Sequence, residues 1–367
     1  MTQRLTGFLS IIMVAGMTLC LSGNLSATPI DAPDFLDNVD LKGDLRIRYD
    51  YQQSNNIGEE DAKDRLRVRF RLGLIWNNSA ENWKVAAGLA TGGTDGATTN
   101  ATYSDDEMFE TGDIRLDYAY AEHKLDNITL IAGQHKNKFY SSMALWDGDV
   151  RPAGFTGQMK FDSMFVTAGY FQARYIDSDI ARMAAAQVGV DTGDLVAAIG
   201  YYDVNRVDEF LDVETLDEDY KYQIIDFYTK YTFKTDSLAI TPHAHVFYNA
   251  GAKGDEGQSV GGENLDPEDA DQNMGWLVGA KAKVDKFSLG VEYGEVGADA
   301  AIQDIKDSDW GSSLGSTDIK GWKTSVGYKL TKHCSFATTY FYTEPKERKD
   351  YTVKDVNRVQ VDLKYKF

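Results

Sequence analysis

The sequence predicts an all-β protein, a transmembrane antiparallel β-barrel of about 16 strands, as bacterial single-chain barrels with even strand numbers have. Three observations predict it. Apolar and polar residues alternate in segment after segment from residue 41 to Phe367. The connections between these segments are alternately short and long. Although 43% of residues are hydrophobic, no apolar run after residue 27 approaches the ~20 residues of a membrane helix, which excludes a helical membrane protein.

Residues 1–27 read as a secretory signal. Arg4 supplies the charged start, the run from Phe8 to Leu21 the apolar middle, and Ala27 a small cleavage residue. Cys20 follows Leu19, where a lipoprotein signal wants a small residue, so lipidation is not expected. Removal of Arg4, the only charge in the segment, takes the net charge from −19 to −20. Cleavage also leaves Cys334 as the sole cysteine, expected as an inert buried thiol. An exported chain without an internal disulfide needs another constraint, and a closed hydrogen-bonded barrel supplies one. Residues 28–39 read as a short periplasmic lead, and 40–367 as one barrel.

The strands follow in order. Leu41, Gly43, Leu45, Ile47, Tyr49 and Tyr51 alternate with Lys42, Asp44, Arg46, Arg48 and Asp50. In the next strand Arg65, Arg67, Arg69 and Arg71 alternate with Leu66, Val68, Phe70, Leu72, Leu74 and Trp76. On a helix, steps of ~100° would scatter both sets; on a strand they fall on opposite faces. A third strand starts at Trp83, Val85, Ala87 and Leu89. A fourth sets Ile114, Leu116, Tyr118 and Tyr120 against Arg115, Asp117 and Ala119, and a fifth lies near 128–136. Further strands are expected near 154–161, 163–174, 183–190, 194–203, 220–234 and 237–249. Both faces of 163–174 are apolar, and Pro242 argues against a central position for its strand. Alternation returns at Trp276–Ala280, Phe287–Tyr293, Trp322–Tyr328, Phe336–Tyr342 and Val359–Phe367.

Short links (77–82, 125–127, 191–193, 235–236, 285–286, 331–333) alternate with long ones (93–111, 137–153, 204–219, 250–273, 297–318). A transmembrane barrel sorts its connections this way, with short periplasmic turns and long external loops. A soluble sandwich has no reason to.

On the inward face, Arg46, Arg48, Arg65, Arg67, Arg69, Arg71 and Arg115 are expected to line one wall of a pore, with Asp44, Asp50 and Asp117 nearby. A plain solvated wall with structural ion pairs is the alternative reading. His243 and His245 share a strand face, but two ligands fall short of the three or four a zinc site wants. No Asp-x-Asp-x-Asp-Gly run, phosphate loop, Ser/His/Asp set or basic nucleic-acid patch stands out, so no cofactor, metal, nucleic-acid partner or enzymatic role is expected.

Several segments resemble the putative porin family of Gram-negative outer membranes: Gly43–Tyr49, the arginine strand, Asp113–Tyr120, Gly133–Phe139 and Trp146–Asp149. Where that family often carries Pro-Glu-Gly, this chain has Pro152-Ala153-Gly154. The resemblance implies an outer-membrane channel for passive diffusion of small hydrophilic solutes and ions. It also implies that loop 137–153 folds inward, so that Asp147 and Asp149 face the arginines across a constriction. Phe367 resembles the terminal aromatic by which the barrel-assembly machinery recognises its substrates. Outer-membrane lipid and lipopolysaccharide are the implied surroundings, and a homotrimer the implied assembly. Competing expectations are a substrate-specific channel for anionic small molecules, an outer-membrane enzyme and a plugged structural barrel.

Overall fold

The computed structural model describes residues 38–56, 60–93, 98–103, 112–176, 179–204, 221–252, 272–315, 317–347 and 353–367. The signal segment with Arg4 and Cys20, most of the lead, and nearly all of the acidic loops 204–219 and 250–273 lie outside these residues.

The chain begins with β1 (Val39–Asn56), β2 (Glu60–Asn78), β3 (Trp83–Thr91), β4 (Ala101–Tyr103), β5 (Ile114–Leu125) and β6 (Ile128–Gln134). It continues through β7 (Ala153–Phe161), β8 (Met164–Ile176), β9 (Asp179–Asp191), β10 (Leu195–Val204), β11 (Tyr222–Tyr231) and β12 (Phe233–Lys234). It ends with β13 (Leu238–Asn249), β14 (Met274–Val284), β15 (Phe287–Val296), β16 (Ile319–Lys329), β17 (Cys334–Pro345) and β18 (Val353–Lys366). Short β4 prolongs β3, since both pair with β2, and β12 prolongs β11 along β13. The segments therefore make sixteen staves of one antiparallel sheet. Because β1 pairs with both β2 and β18, the sheet closes and has no free edge.

Phe367 seals the seam. Its amide donates to the Gly43 carbonyl at 3.1 Å and its carbonyl accepts from the Gly43 amide at 3.0 Å. Its ring occupies the space beside Gly43, where an added Cβ would sit 2.4 Å from the ring. Only glycine fits there.

Alternation sorts the faces as expected. Leu45, Leu66, Phe70, Leu74, Trp76, Val85, Leu89 and their counterparts around the barrel stay exposed, whereas Asp44, Arg46, Arg48 and Asp50 turn inward and are buried. An apolar outer belt with a charged interior is the inverse of a soluble core, and it suits lipid outside. Tight turns close the short end, with Asn82, Asp126, Asp162 and Asp285 each at φ near +50°, the left-handed region that Asn and Asp tolerate.

Three local features depart from simple alternation. A bulge in the β3–β5 ladder lies between Gly88 and Leu89, where Gly88 pairs with Tyr118 but Leu89 with Leu116. The extra residue shifts the register, so Tyr118 and Tyr120 point inward and not outward as the pattern suggested. Tyr118 then lies over Gly73 and Gly88, which carry no side chain to obstruct it. In β8, Met164, Val166 and Tyr170 face out, while Phe165 and Phe171 face in against Tyr140 and Phe139. Both faces are apolar because both are covered, one by lipid and one by a loop. Pro242 lies opposite the break between β11 and β12, while on its other side it remains in the β14 ladder, paired with Ala280. Its missing N–H falls where that ladder is already interrupted.

The apolar core lies inside the barrel at its long-loop end. Inward wall residues including Phe171, Tyr202, Tyr222, Ile224 and Phe247 pack there with Leu145, Trp146, Ile302 and Trp310 from loops. Cys334 is buried.

Candidate functional site

Barrel closure brings β18, β1 and β2 side by side, and their inward residues form horizontal rows. Lys364, Arg46 and Arg69 make one row; Asp362, Arg48 and Arg67 the next; Gln360, Asp50 and Arg65 the one beyond. Arginines this close repel unless carboxylates intervene. Asp50 is the hub, with its Oδ2 2.7 Å from Arg358, 3.1 Å from Arg65 and 3.1 Å from Arg67. Asp44 holds Arg69 and Arg71, each at 2.7 Å, and Asp362 holds Arg48 at 2.6 Å. Except for Arg115, the arginines expected to line the lumen lie side by side on β1 and β2, and Arg46, Arg48, Arg67 and Arg69 are mostly buried.

Two loops fold into the lumen and meet this wall. The first, residues 135–152, crosses from β6 to β7. Its Tyr140 is held by Gln187, which accepts from the Tyr140 amide at 2.8 Å, and by Asp191, which accepts from its hydroxyl at 2.6 Å. Farther along, Ser142 Oγ lies 2.8 Å from His245 Nδ1, and His245 Nε2 donates to Asp226 at 2.9 Å. This Ser–His–Asp chain was invisible in sequence because its members lie on a loop and two strands. His245 and Asp226 are wholly buried, and the chain ties the loop to the wall.

The loop then delivers Asp149 to the arginines. Its carboxylate lies 3.5 Å from Arg71 and 3.9 Å from Arg69, and accepts from Thr99 at 3.0 Å. Burial works against its charge, but Arg69, Arg71 and Arg46 outweigh it and hold the carboxyl below its ordinary range. Asp147 does not face the arginines, which corrects the expectation for it. Its amide donates to the Ile305 carbonyl at 2.6 Å, placing it against the second loop, residues 297–318. There burial, and then the charge of Asp307, push its carboxyl up to about 8.

The second loop carries the residue that sequence reasoning missed most completely. Asp309 reaches Arg358 at 3.0 Å, Arg48 at 3.1 Å and Arg67 at 4.0 Å. These arginines overcome its burial and hold its carboxyl well below the usual range. Lys306 beside it is buried, its ammonium donating to the Asp307 and Trp310 carbonyls, and burial lowers it to about 7. Arg358 was also missed. Its inward position was readable from the alternation of the last strand, but its membership required setting that strand beside the first. Arg115 stands apart from the cluster and donates to the Gly93 carbonyl at 3.0 Å. Asp117 pairs with Arg151 at 3.4 Å and does not reach the arginine ladder. On the far wall His243 meets Glu292 at 2.9 Å, with Lys281 and Lys323 on the same carboxylate.

Residues 53–219 match the sequence model of the putative porin family. The match covers a little under half of the 367 residues. It spans β2 with its arginines and the inward loop with Asp149. Solved porins share the fold over most of the chain. OmpF of Salmonella typhi superposes with a TM-score of 0.58 at 12% identity, covering 90% of this chain and 97% of that one. A triple mutant of the Rhodopseudomonas blastica porin gives 0.53 at 9% identity, covering 90% and 100%. OccK11 of Pseudomonas aeruginosa gives 0.52 at 11% identity, covering 89% and 96%. No curated protein matches the sequence. At such identities the porin structures speak for the fold, and the porin family match for residues 53–219.

Proposed function

We propose that this barrel is an outer-membrane porin through which small hydrophilic solutes and ions diffuse passively. The observation that carries the reading is the loop 135–152 folded across a closed barrel, with Asp149 set against the arginines of β2. An apolar exterior suits lipid, and a charged interior suits water and ions. Buried guanidiniums opposite a loop carboxylate create a transverse field at the narrowest level, and such a field sorts solutes by charge. The chain is exported by residues 1–27, delivered to the assembly machinery by Phe367 and set among lipopolysaccharide as a homotrimer.

A second reading, a barrel plugged at rest, is favoured by one observation. Ala300, Ala301, Ile302 and Trp310 are buried inside the barrel at its long-loop end. Planar-bilayer recording of the refolded protein separates the two. Discrete conductance steps are expected. A folded, inserted protein that gives none overturns the channel and leaves the plug.

A further inference from the structure

Six cations of the wall, Arg48, Arg65, Arg67, Arg69, Arg71 and Arg358, each have a carboxylate within 4.0 Å. Two others have none. Arg46 gives one hydrogen bond, to the neutral amide oxygen of Asn100 at 2.5 Å, and its buried Nε has no partner. Its cross-strand neighbour Lys364 makes no ion pair or hydrogen bond among the described residues. Beyond Arg46 in the same row stands Arg69, so three cations lie abreast on β18, β1 and β2.

The nearby carboxylates are already committed. Asp44 serves Arg69 and Arg71, Asp362 serves Arg48, and Asp149 serves Arg71, Arg69 and the Thr99 hydroxyl. A buried guanidinium with an idle donor next to an unpaired ammonium is costly unless an anion joins it. An oxyanion would meet what each group offers: a planar fork that binds two oxygens from Arg46 and a point charge from Lys364.

We propose that Lys364, Arg46 and Arg69 form a binding site for a small oxyanion, phosphate or carboxylate, on the lumen wall of β18, β1 and β2. The site deepens the channel reading, which supplies the ligand's route. Binding itself can be measured without conduction.

Inorganic phosphate and, separately, acetate are titrated calorimetrically into the refolded full chain in detergent, then added to chloride-conducting channels in a bilayer. Saturable phosphate binding is expected, with acetate competing if a single carboxylate suffices and not competing if a second negative charge is required. Arg46→Gln and Lys364→Gln should each raise the half-saturating phosphate concentration about tenfold, the scale of one charge-assisted contact. Block of chloride current should weaken in parallel. Should Arg46→Gln fail to fold, the half-buried Lys364→Gln carries the test. Absence of phosphate binding to the folded wild type, or equal binding by the double variant, overturns the site. Binding without conductance overturns the channel and keeps the site, whereas conductance without binding does the reverse.

Discussion

The amide of Asp147 donates to the carbonyl of Ile305 at 2.6 Å, and this bond joins loop 135–152 to loop 297–318 inside the barrel. The side chain it brings along is held near Asp307 and Asp309, so its charge is unwelcome there.

The pH dependence follows in sign. The Asp147 carboxyl is raised from 3.8 to about 8 in the folded barrel. The folded state therefore keeps a proton that the unfolded chain has lost, and stability falls as pH rises between those values. Lys306, lowered to about 7 by burial, gives the opposite slope only above that pH. Asp147→Asn should leave stability unchanged below about pH 4 and should stabilise increasingly toward pH 7. Urea unfolding of the refolded barrel across this range measures it. A variant no more stable than wild type at pH 7 would mean that the surroundings of Asp147 do not disfavour its charge.

The tie between loop and wall should show unequal costs along its length. Ser142→Ala removes a single hydrogen bond and should cost about 1 kcal/mol. His245→Leu leaves Asp226 wholly buried without its partner, and should cost about 3–5 kcal/mol. Unfolding midpoints of the two variants decide this. Equal losses would mean that His245 matters only through the serine.

The barrel itself was legible because period-two alternation and the parity of loop lengths are local properties of the chain. The inward turn of Tyr118 was not, since a bulge is set by the register of two strands. Asp149 was readable only through resemblance. Asp309 was not readable at all, because nothing in the string 297–318 says that this loop folds inward while the next acidic loops carry similar charge. Arg358 was within reach, had closure been applied to the last strand as well as to the first two.

The lipid face gives a test of register. Val291 lies mid-strand on β15 and faces outward, whereas Ser325 on the adjoining β16 faces the lumen opposite Gly290. Val291→Arg should destabilise by about 2–4 kcal/mol, the cost of a charge near the bilayer midplane. Ser325→Lys should fold nearly as wild type. Thermal unfolding on unheated gels compares them, and similar losses at both positions would place β15 and β16 in the wrong register.

Selectivity sets two parts of the molecule against each other. The segments 204–219 and 250–273 each carry seven acids against one base in the sequence, a charge that attracts cations. At ~0.15 M salt the screening length is about 8 Å, so charges farther than that from the arginine wall act on it only weakly. Asp149→Asn and Asp50→Asn each remove one negative charge from among the arginines, and both should move the reversal potential toward anions. They should differ in stability. The Asp149 side chain remains 23% exposed, while Asp50 is fully buried and serves three arginines. Losing it leaves Arg65, Arg67 and Arg358 to repel one another, at a cost of about 3–5 kcal/mol. Replacing Arg65, Arg67 and Arg69 together by Gln should move the reversal potential the other way. Neutralising the acids of 255–271 should move it much less, and that difference should shrink at 1 M salt. If the loop change proves the larger at physiological salt, the arginine wall is a structural ion-pair network and does not set selectivity.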